Sequence, residues 1–439
     1  MAVWSIVFKS KLEGAARLDA EYYKPFYLQI SSSLEQKNYV ELGSIAWISD
    51  GDHAVLPELF DSGKRYLRAK DLKNFRIDNS DPIYVSDDYF RTIKRSHIQP
   101  HDILLSIMGT IGNIAIVPES FDILTANRAI AIIRIEEDSK FDPYFVAAYL
   151  ESKIGIALRE RESQGGIQQR INLEGLKRLK IPFIPYSLQA EIRKQVFVAL
   201  SRYRDSENIY AEAEALLLHE LGLDNLDLST QKSYVANFSE TVESDRFDAE
   251  YFKPKYRKTI QAISKSRLSI KDVAQLTKRR FVPLESQIFN YIEIGNLSGN
   301  GHVETEPIIG EDAPSRAQWI VRPGDVITST VRPIRRLTAL IEPKQDGYVC
   351  SSGFAVLKPM KIPAEILLVY LRLPIVCEIL DLYTTASMYP AISTNELLKI
   401  PIILPKVEVQ KEIVERVIAS RKASKDAEKI LDQAKQKVE

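Results

Sequence analysis

Nine residues occur twice in this chain, and their recurrence fixes its organisation before any element is assigned. Arg17-Leu-Asp-Ala-Glu-Tyr-Tyr-Lys-Pro25 returns as Arg246-Phe-Asp-Ala-Glu-Tyr-Phe-Lys-Pro254. Seven of the nine positions are identical, and the two exchanges (Leu18 to Phe247, Tyr23 to Phe252) keep apolar or aromatic character. A repeat offset by 229 residues in a chain of 439 is a duplication. It is not the period of about 20–50 residues that marks a solenoid.

The surroundings of the two marks align in the same order. Residues 3–8 and 234–238 are rich in strand formers and are predicted as strands. Each nonapeptide ends in a proline that suits a first helical turn. Apolar residues then continue at helical spacing, Phe26, Ile30 and Leu34 in one copy and Tyr256, Ile260 and Ile263 in the other. The plain structural reading of the nonapeptide is therefore a packed helix entry.

A strand-rich body follows, in which Tyr66-Leu-Arg-Ala-Lys-Asp-Leu72 aligns with Tyr291-Ile-Glu-Ile-Gly-Asn-Leu297. Likewise His101-Asp-Ile-Leu-Leu-Ser106 aligns with Gly324-Asp-Val-Ile-Thr-Ser329. The glycines of Met108-Gly-Thr-Ile-Gly-Asn113 predict a tight bend, where the second copy has Val331-Arg-Pro-Ile-Arg-Arg336. Strands over 129–135 and 354–357 close the body, and helices start near Pro143 and Pro363. Polar loops (159–170 and 383–390) lead to Lys180-Ile-Pro182 and Lys399-Ile-Pro401, whose prolines fit extended edge segments.

Each copy ends in a long heptad helix. Apolar or small residues recur at Ile192, Val196, Ala199, Tyr203, Ser206, Tyr210, Ala213 and Leu217. An offset of 221 gives Ile413, Val417, Ser420, Ser424, Ala427, Leu431, Ala434 and Val438. Alternating steps of four and three describe a coiled-coil seam, and two matched seams most simply pair with each other. Some 30 residues would make a rod of roughly 45 Å. The predicted order is a first domain over 1–186, a spacer helix over 187–222, a connector over 223–245, a second domain over 246–406 and a second spacer helix over 407–439.

Composition narrows the class of function. Lysine plus arginine equals aspartate plus glutamate at 59 each, so a nucleic-acid binder would have to separate its charges in space. Two cysteines, Cys350 and Cys377, argue against a disulfide-stapled secreted fold. No signal peptide or membrane span is evident, which predicts a soluble cytoplasmic protein. Neither a phosphate-binding G-x-x-x-x-G-K-[ST] loop nor a dinucleotide fingerprint is present. His219-Glu220 lacks the second histidine of a zinc-protease helix, and the five histidines show no metal-ligand spacing. Asp142-Pro-Tyr-Phe145 lacks the second proline of the amino-methyltransferase motif and reads better as a helix cap. No catalytic residue, metal or cofactor is expected on this chain.

The order of nonapeptide, strand-rich body, polar loop, Lys-Ile-Pro and heptad helix, given twice, resembles the specificity subunit of type I restriction–modification systems. The resemblance covers essentially the whole chain. It implies an α/β (α+β) fold with two tandem, pseudo-twofold-related target-recognition domains joined by two long antiparallel coiled-coil helices. It further implies that each domain reads one half of a split, non-palindromic site in double-stranded DNA, with the helices setting the gap. Two modification (methyltransferase) subunits would dock on the chain, and restriction (translocase–nuclease) subunits could join them. S-adenosylmethionine and ATP would sit only on those partners. The competing reading is a coiled-coil scaffold that reads no DNA.

Candidate DNA contacts follow from side-chain chemistry. Arginine suits guanine edges, glutamine suits adenine edges, and glycine lets backbone approach phosphates. In the first copy these point to Arg159, Arg161, Gln164, Gly165, Gly166, Gln168, Gln169 and Arg170. The equivalent stretch of the second copy offers Thr384, Thr385, Ser387, Met388 and Tyr389. Further cationic groups are Lys64, Arg65, Arg68 and Lys70, then Lys278, Arg279 and Arg280, and finally Arg332, Arg335 and Arg336. The bland alternative for each group is a salt-bridged or solvated surface. Residues 40–140 hold more acids than bases, so a broad basic face is not expected.

Overall fold

Proline starts the helix that follows each nonapeptide, as its fixed φ and missing N–H allow. The computed structural model describes the chain except residues 1–3, 9–16, 55–57, 61, 80–81, 110, 120, 122–123, 166–168, 227–232, 245, 298–300, 304, 306 and 386–388. It divides into two compact units, residues 1–204 with 424–439 and residues 205–423.

In the first unit, α1 (Pro25–Glu35), β1 (Tyr39–Glu41) and β2 (Ala46–Asp50) precede the body. The body comprises β3 (Lys64–Leu67), β4 (Leu72–Lys73), β5 (Arg76–Ile77), β6 (Tyr84–Val85), α2 (Asp87–Thr92), β7 (His97–Ile98), β8 (Ile103–Ser106), β9 (Ile114–Ile116), β10 (Leu124–Ala126) and β11 (Ile130–Ile135). Then come α3 (Pro143–Leu150), α4 (Lys153–Glu162), β12 (Ser163–Gln164), β13 (Arg170–Ile171), α5 (Leu173–Lys177), β14 (Lys180–Pro182) and α6 (Tyr186–Glu220), whose residues from 205 on belong to the second unit. Asp142 caps α3, its carboxylate accepting from the Tyr144 and Phe145 amides at 2.8 and 3.4 Å.

The second unit starts with α7 (Phe238–Ser244), α8 (Pro254–Ile263) and α9 (Ile270–Val273). Its strands are β15 (Ala274–Thr277), β16 (Ile288–Ile292), β17 (Pro307–Ile309), β18 (Ala317–Ile320), β19 (Val326–Ser329), β20 (Thr338–Leu340), β21 (Val349–Ser351) and β22 (Phe354–Pro359). The helices α10 (Ala364–Arg372), α11 (Pro374–Leu382), α12 (Thr394–Lys399) and α13 (Val407–Lys437) complete it, the residues of α13 from 424 on belonging to the first unit.

The duplication reaches strand order. One sheet of the first unit runs β2-β11-β8-β9 and its counterpart β15-β22-β19-β20. The other runs β6-β3-β10-β7, with counterpart β17-β16-β21-β18. In both, the pair β3/β10 or β16/β21 is parallel and the remaining pairs are antiparallel. Even the turn before the third strand of the first sheet repeats. Gln99-Pro-His-Asp102 and Arg322-Pro-Gly-Asp325 each bend through a residue of positive φ, His101 at 66° and Gly324 at 85°. Each buries its aspartate, which accepts the amide three residues earlier at 2.7 Å. Burial pushes the Asp325 carboxyl up, against the pull of the Arg322 amide and Arg279.

All the predicted seam residues but Ser424 are buried. In the first unit Ile192, Val196, Ala199 and Tyr203 of α6 join the same buried cluster as Ala427, Leu431, Ala434 and Val438. In the second, Tyr210, Ala213 and Leu217 share a cluster with Ile413 and Val417. In the second unit the helices run antiparallel, since Ser206 meets Ser420, Glu212 meets Arg416 and Glu220 meets Lys406; in the first, Glu191 pairs with Lys437. Each fully buried aliphatic side chain contributes roughly 1.5–3 kcal/mol. Ser206 and Ser420 meet at 3.1 Å between hydroxyls, a close approach that two small side chains permit.

Two local expectations are corrected. Residues 4–8 and 234–237 form no strand, and Phe238 opens a helix. Among the described residues no strand pairs with either stretch. The helix α7 lies within the predicted connector. The stretch 159–170 is not all loop: α4 runs on through Glu162, and a short antiparallel hairpin, β12/β13, follows. Lys180-Ile-Pro182 does form an extended segment, paired at an edge with β1.

Candidate nucleic-acid interface

Two segments that are far apart in sequence meet in each unit, in the same way. In the first, Met108 bridges to Arg170, and the Ile171 amide donates to the Ile107 carbonyl at 3.1 Å. In the second, Val331 bridges to Ala391, and the Arg332 amide donates to the Pro390 carbonyl at 2.8 Å. The turn after β8 or β19 thus lies against the polar segment that follows α4 or α11. In the second copy both were separate candidates from sequence, in the first only the polar segment was, and the fold joins the two in each unit.

The chemistry of the joined surfaces differs. In the first unit Gln164 pairs with Arg170 across the hairpin, and Gly165 turns it at φ 106°. Gln169 and Arg170 are exposed and Gln164 is half-buried. Gly166 and Gln168 lie outside the described residues. The neighbouring turn bends at Gly109 and Gly112, with φ of 77° and 101°. In the second unit Arg332 and Arg336 both adopt left-handed backbone, at φ 49° and 59°, around the short turn Pro333–Arg335. The exposed Arg332 guanidinium lies 5.4 Å from the ring centre of Tyr389, which is itself 68% exposed. An arginine stacked on an open aromatic ring is a surface suited to phosphate, sugar or base. Arg335 is exposed beside it, and its guanidinium has no partner among the described residues.

Several expected contacts are placed elsewhere, for physical reasons. Arg159 and Arg161 are only 4% and 5% exposed, on the last turn of α4. Arg159 donates to the Gly112 carbonyl at 2.7 Å and to Glu151 at 2.9 Å. Arg161 donates to the Tyr22 carbonyl at 3.0 Å and to Ser31 at 3.2 Å, and its guanidinium lies over the Tyr22 ring. Both are internal braces, and Arg159 in particular props the turn beside the hairpin. The second unit achieves the same with Arg372, whose buried side chain donates to the carbonyls of Arg336 and Thr338 at 3.0 and 3.3 Å. Arg336 in turn donates to the Arg372 carbonyl at 2.6 Å and pairs with Glu214.

The remaining cations are partly spent on structure. Arg65 is buried and donates to the Asp78 carbonyl at 3.1 Å. Arg68 is held by both oxygens of Asp71 at 3.0 and 2.9 Å. Lys64 stands 3.7 Å from Asp87, and Lys70 is exposed. This group belongs to β3 and the turn after it, in a different sheet from β8 and β9. Arg279 pairs with buried Asp325 and donates to the Ile320 carbonyl at 3.0 Å, while Lys278 and Arg280 stay exposed. Thr384 turns its hydroxyl back to the Asp381 carbonyl at 2.7 Å, and Thr385 bridges to Ala391. Ser387 and Met388 lie outside the described residues.

The repeated nonapeptide also touches this region. Arg17 donates to the carbonyls of Glu162 at 3.1 Å and Ser163 at 3.2 Å, where α4 gives way to the hairpin. Arg246 donates to the carbonyl of Leu382, the last residue of α11, at 3.1 Å. Hydrogen bonds from these arginines hold the Asp19 and Asp248 carboxyls below the usual aspartate range. Sequence reasoning assigned the nonapeptide to packing; the signal it left unused was the identical Arg-x-Asp in both copies.

Among the described residues, no cluster of histidine, cysteine or acidic side chains could hold a metal ion. No helix among them is long and apolar enough to cross a membrane. Cys350 and Cys377 are buried free thiols, both pushed up to about 12 by burial.

Known proteins match this description. The family profile described as "Type I restriction modification DNA specificity domain" matches residues 35–207 and again residues 266–433. The type I restriction enzyme EcoBI specificity subunit of Escherichia coli is 27% identical over 201 residues, 42% of this chain and 42% of that protein. That match therefore spans less than half the length of the relative. Among solved structures, the type I restriction–modification S subunit from M. genitalium aligns at 12% identity, covering 92% of this chain and 96% of that one, with a TM-score of 0.38. The HsdS subunit from Thermoanaerobacter tengcongensis aligns at 16% identity over 90% and 96% of the two chains, with a TM-score of 0.29. With two profile matches that together cover most of its length, the chain belongs to the family of type I restriction–modification DNA specificity proteins.

Proposed function

We propose that this chain is the non-catalytic specificity subunit of a type I restriction–modification complex, reading a bipartite DNA site with one unit per half. The observation that carries the reading is the pairing of a strand-end turn with a polar segment, built twice on one strand order but with different side chains. Same scaffold and different chemistry is what two readers of two different half-sites require. Gln164, Gln169 and Arg170 offer adenine- and guanine-directed groups in one unit, and Arg332, Arg335 and Tyr389 offer cationic and stacking groups in the other. Unequal readers imply a non-palindromic site.

Methyl transfer and any cleavage would then belong to partner subunits that carry S-adenosylmethionine and ATP. Two modification subunits would bind the duplicated chain, each supplying nonspecific phosphate contacts that its balanced charge does not provide. Exchanging residues 246–406 for those of a relative with a different target tests the reading. The reconstituted complex should keep one half-site and change the other. A complex whose two half-sites both change would contradict the assignment of one reader to each unit.

A further inference from the structure

We propose that Arg17 and Arg246 are positioning residues for the two reading surfaces. Each grips the helix end from which its polar segment emerges and sets the direction in which that segment projects. The inference rests on the reading that these segments face DNA.

The last carbonyls of a helix lack intrahelical partners, and a cation placed there is favoured by the helix dipole. Arg17 supplies that cation to α4, across 145 residues of sequence, and reaches one residue further to the Ser163 carbonyl. Ser163 is the first residue of β12 and stands opposite Ile171 in the hairpin. Arg246 supplies the cation to α11 across 136 residues. The helices it and Arg17 hold share little sequence, Lys153-Ile-Gly-Ile-Ala opening one and Pro374-Ile-Val-Cys-Glu the other. The clamp is nevertheless built alike.

In each unit the aspartate two residues on fixes the guanidinium, Asp19 at 2.8 and 2.6 Å and Asp248 at 2.6 Å. In each, a tyrosine ring of the same nonapeptide lies against it, Tyr22 at 4.7 Å and Tyr251 at 4.8 Å. In the first unit Tyr22 also donates to Glu162 at 3.1 Å, adding a second grip on the same helix end. Of the two positions where the copies differ, 18/247 is 81% and 75% exposed and takes no part, while Tyr23 donates to the Arg17 carbonyl at 2.9 Å, a bond that Phe252 cannot make. Arg17 itself is 9% exposed, too enclosed to read a base. A planar fork held by a carboxylate and a ring is rigid, and the chain it grips inherits that rigidity.

The test uses the full chain in complex with its methyltransferase subunits, and duplexes altered in one half-site or the other. Arg17→Ala should lower discrimination at the half read by the first unit by about tenfold or more. Discrimination at the other half should stay within about twofold. Arg246→Ala should give the mirror image. Arg17→Lys, which keeps the charge without the fork, should lose less than Arg17→Ala. Amide exchange at 163–171 should quicken in Arg17→Ala while 192–203 stays protected. Unchanged discrimination at both halves would overturn the proposal. So would a parallel loss at both halves with deprotection of 192–203, the sign of general unfolding. A wild-type complex that discriminates at neither half would sink the underlying reading, and the clamp's role with it.

Discussion

Arg159 and Arg170 carry the same charge eleven residues apart in one stretch of chain, and the fold gives them opposite work. Arg159 is enclosed with Glu151 and the Gly112 carbonyl, whereas Arg170 is exposed on the hairpin. Arg159→Ala would remove the ion-pair partner of Glu151, leaving it only the weaker pull of Lys435, and is expected to cost about 3–5 kcal/mol in denaturant unfolding. Arg170→Ala should leave unfolding within about 0.5 kcal/mol yet weaken specific DNA binding by about 1–3 kcal/mol. Measuring both quantities on both variants separates brace from reader. Residue type alone could not make this distinction. Arginine is usually a surface residue, so a run of arginines and glutamines reads as one polar loop. Only the packing of α4 against the β8–β9 turn shows which guanidinium faces inward.

At the scale of elements, the long periodic features were legible in sequence and the short ones were not. The heptad placed Ile192, Val196, Tyr203, Leu217, Ile413, Val417, Leu431 and Val438 on buried faces because a 3.5-residue repeat needs only local chain to be seen. The hairpin β12/β13 has two residues a side and owes its register to Met108, some sixty residues away in the chain. No local pattern encodes that partner. Residues 4–8 failed in the opposite direction, since strand propensity without a neighbouring strand makes no sheet. The seam itself predicts a packing response. Ala213 is fully buried between the helices of its unit, so Ala213→Leu should overpack it and cost about 1–3 kcal/mol, read as a lower thermal midpoint. A midpoint that rises would mean that the seam has room to spare.

For the whole molecule, reading a split site would make the two long helices a ruler as well as a core. Adding one heptad to both α6 and α13 lengthens each by about 10 Å. The gap between half-sites should then widen by about three base pairs, at about 3.4 Å each, with both half-sites unchanged. A recognised site of unaltered gap would remove the ruler from the account. More broadly, this chain alone should choose the sequence its complex modifies. Mapping methylated bases across the host genome, with the gene intact and with it deleted, tests this most directly. Deletion should abolish one bipartite, non-palindromic methylated motif and spare every other. Persistence of all motifs, or loss of a single continuous palindrome, would contradict it.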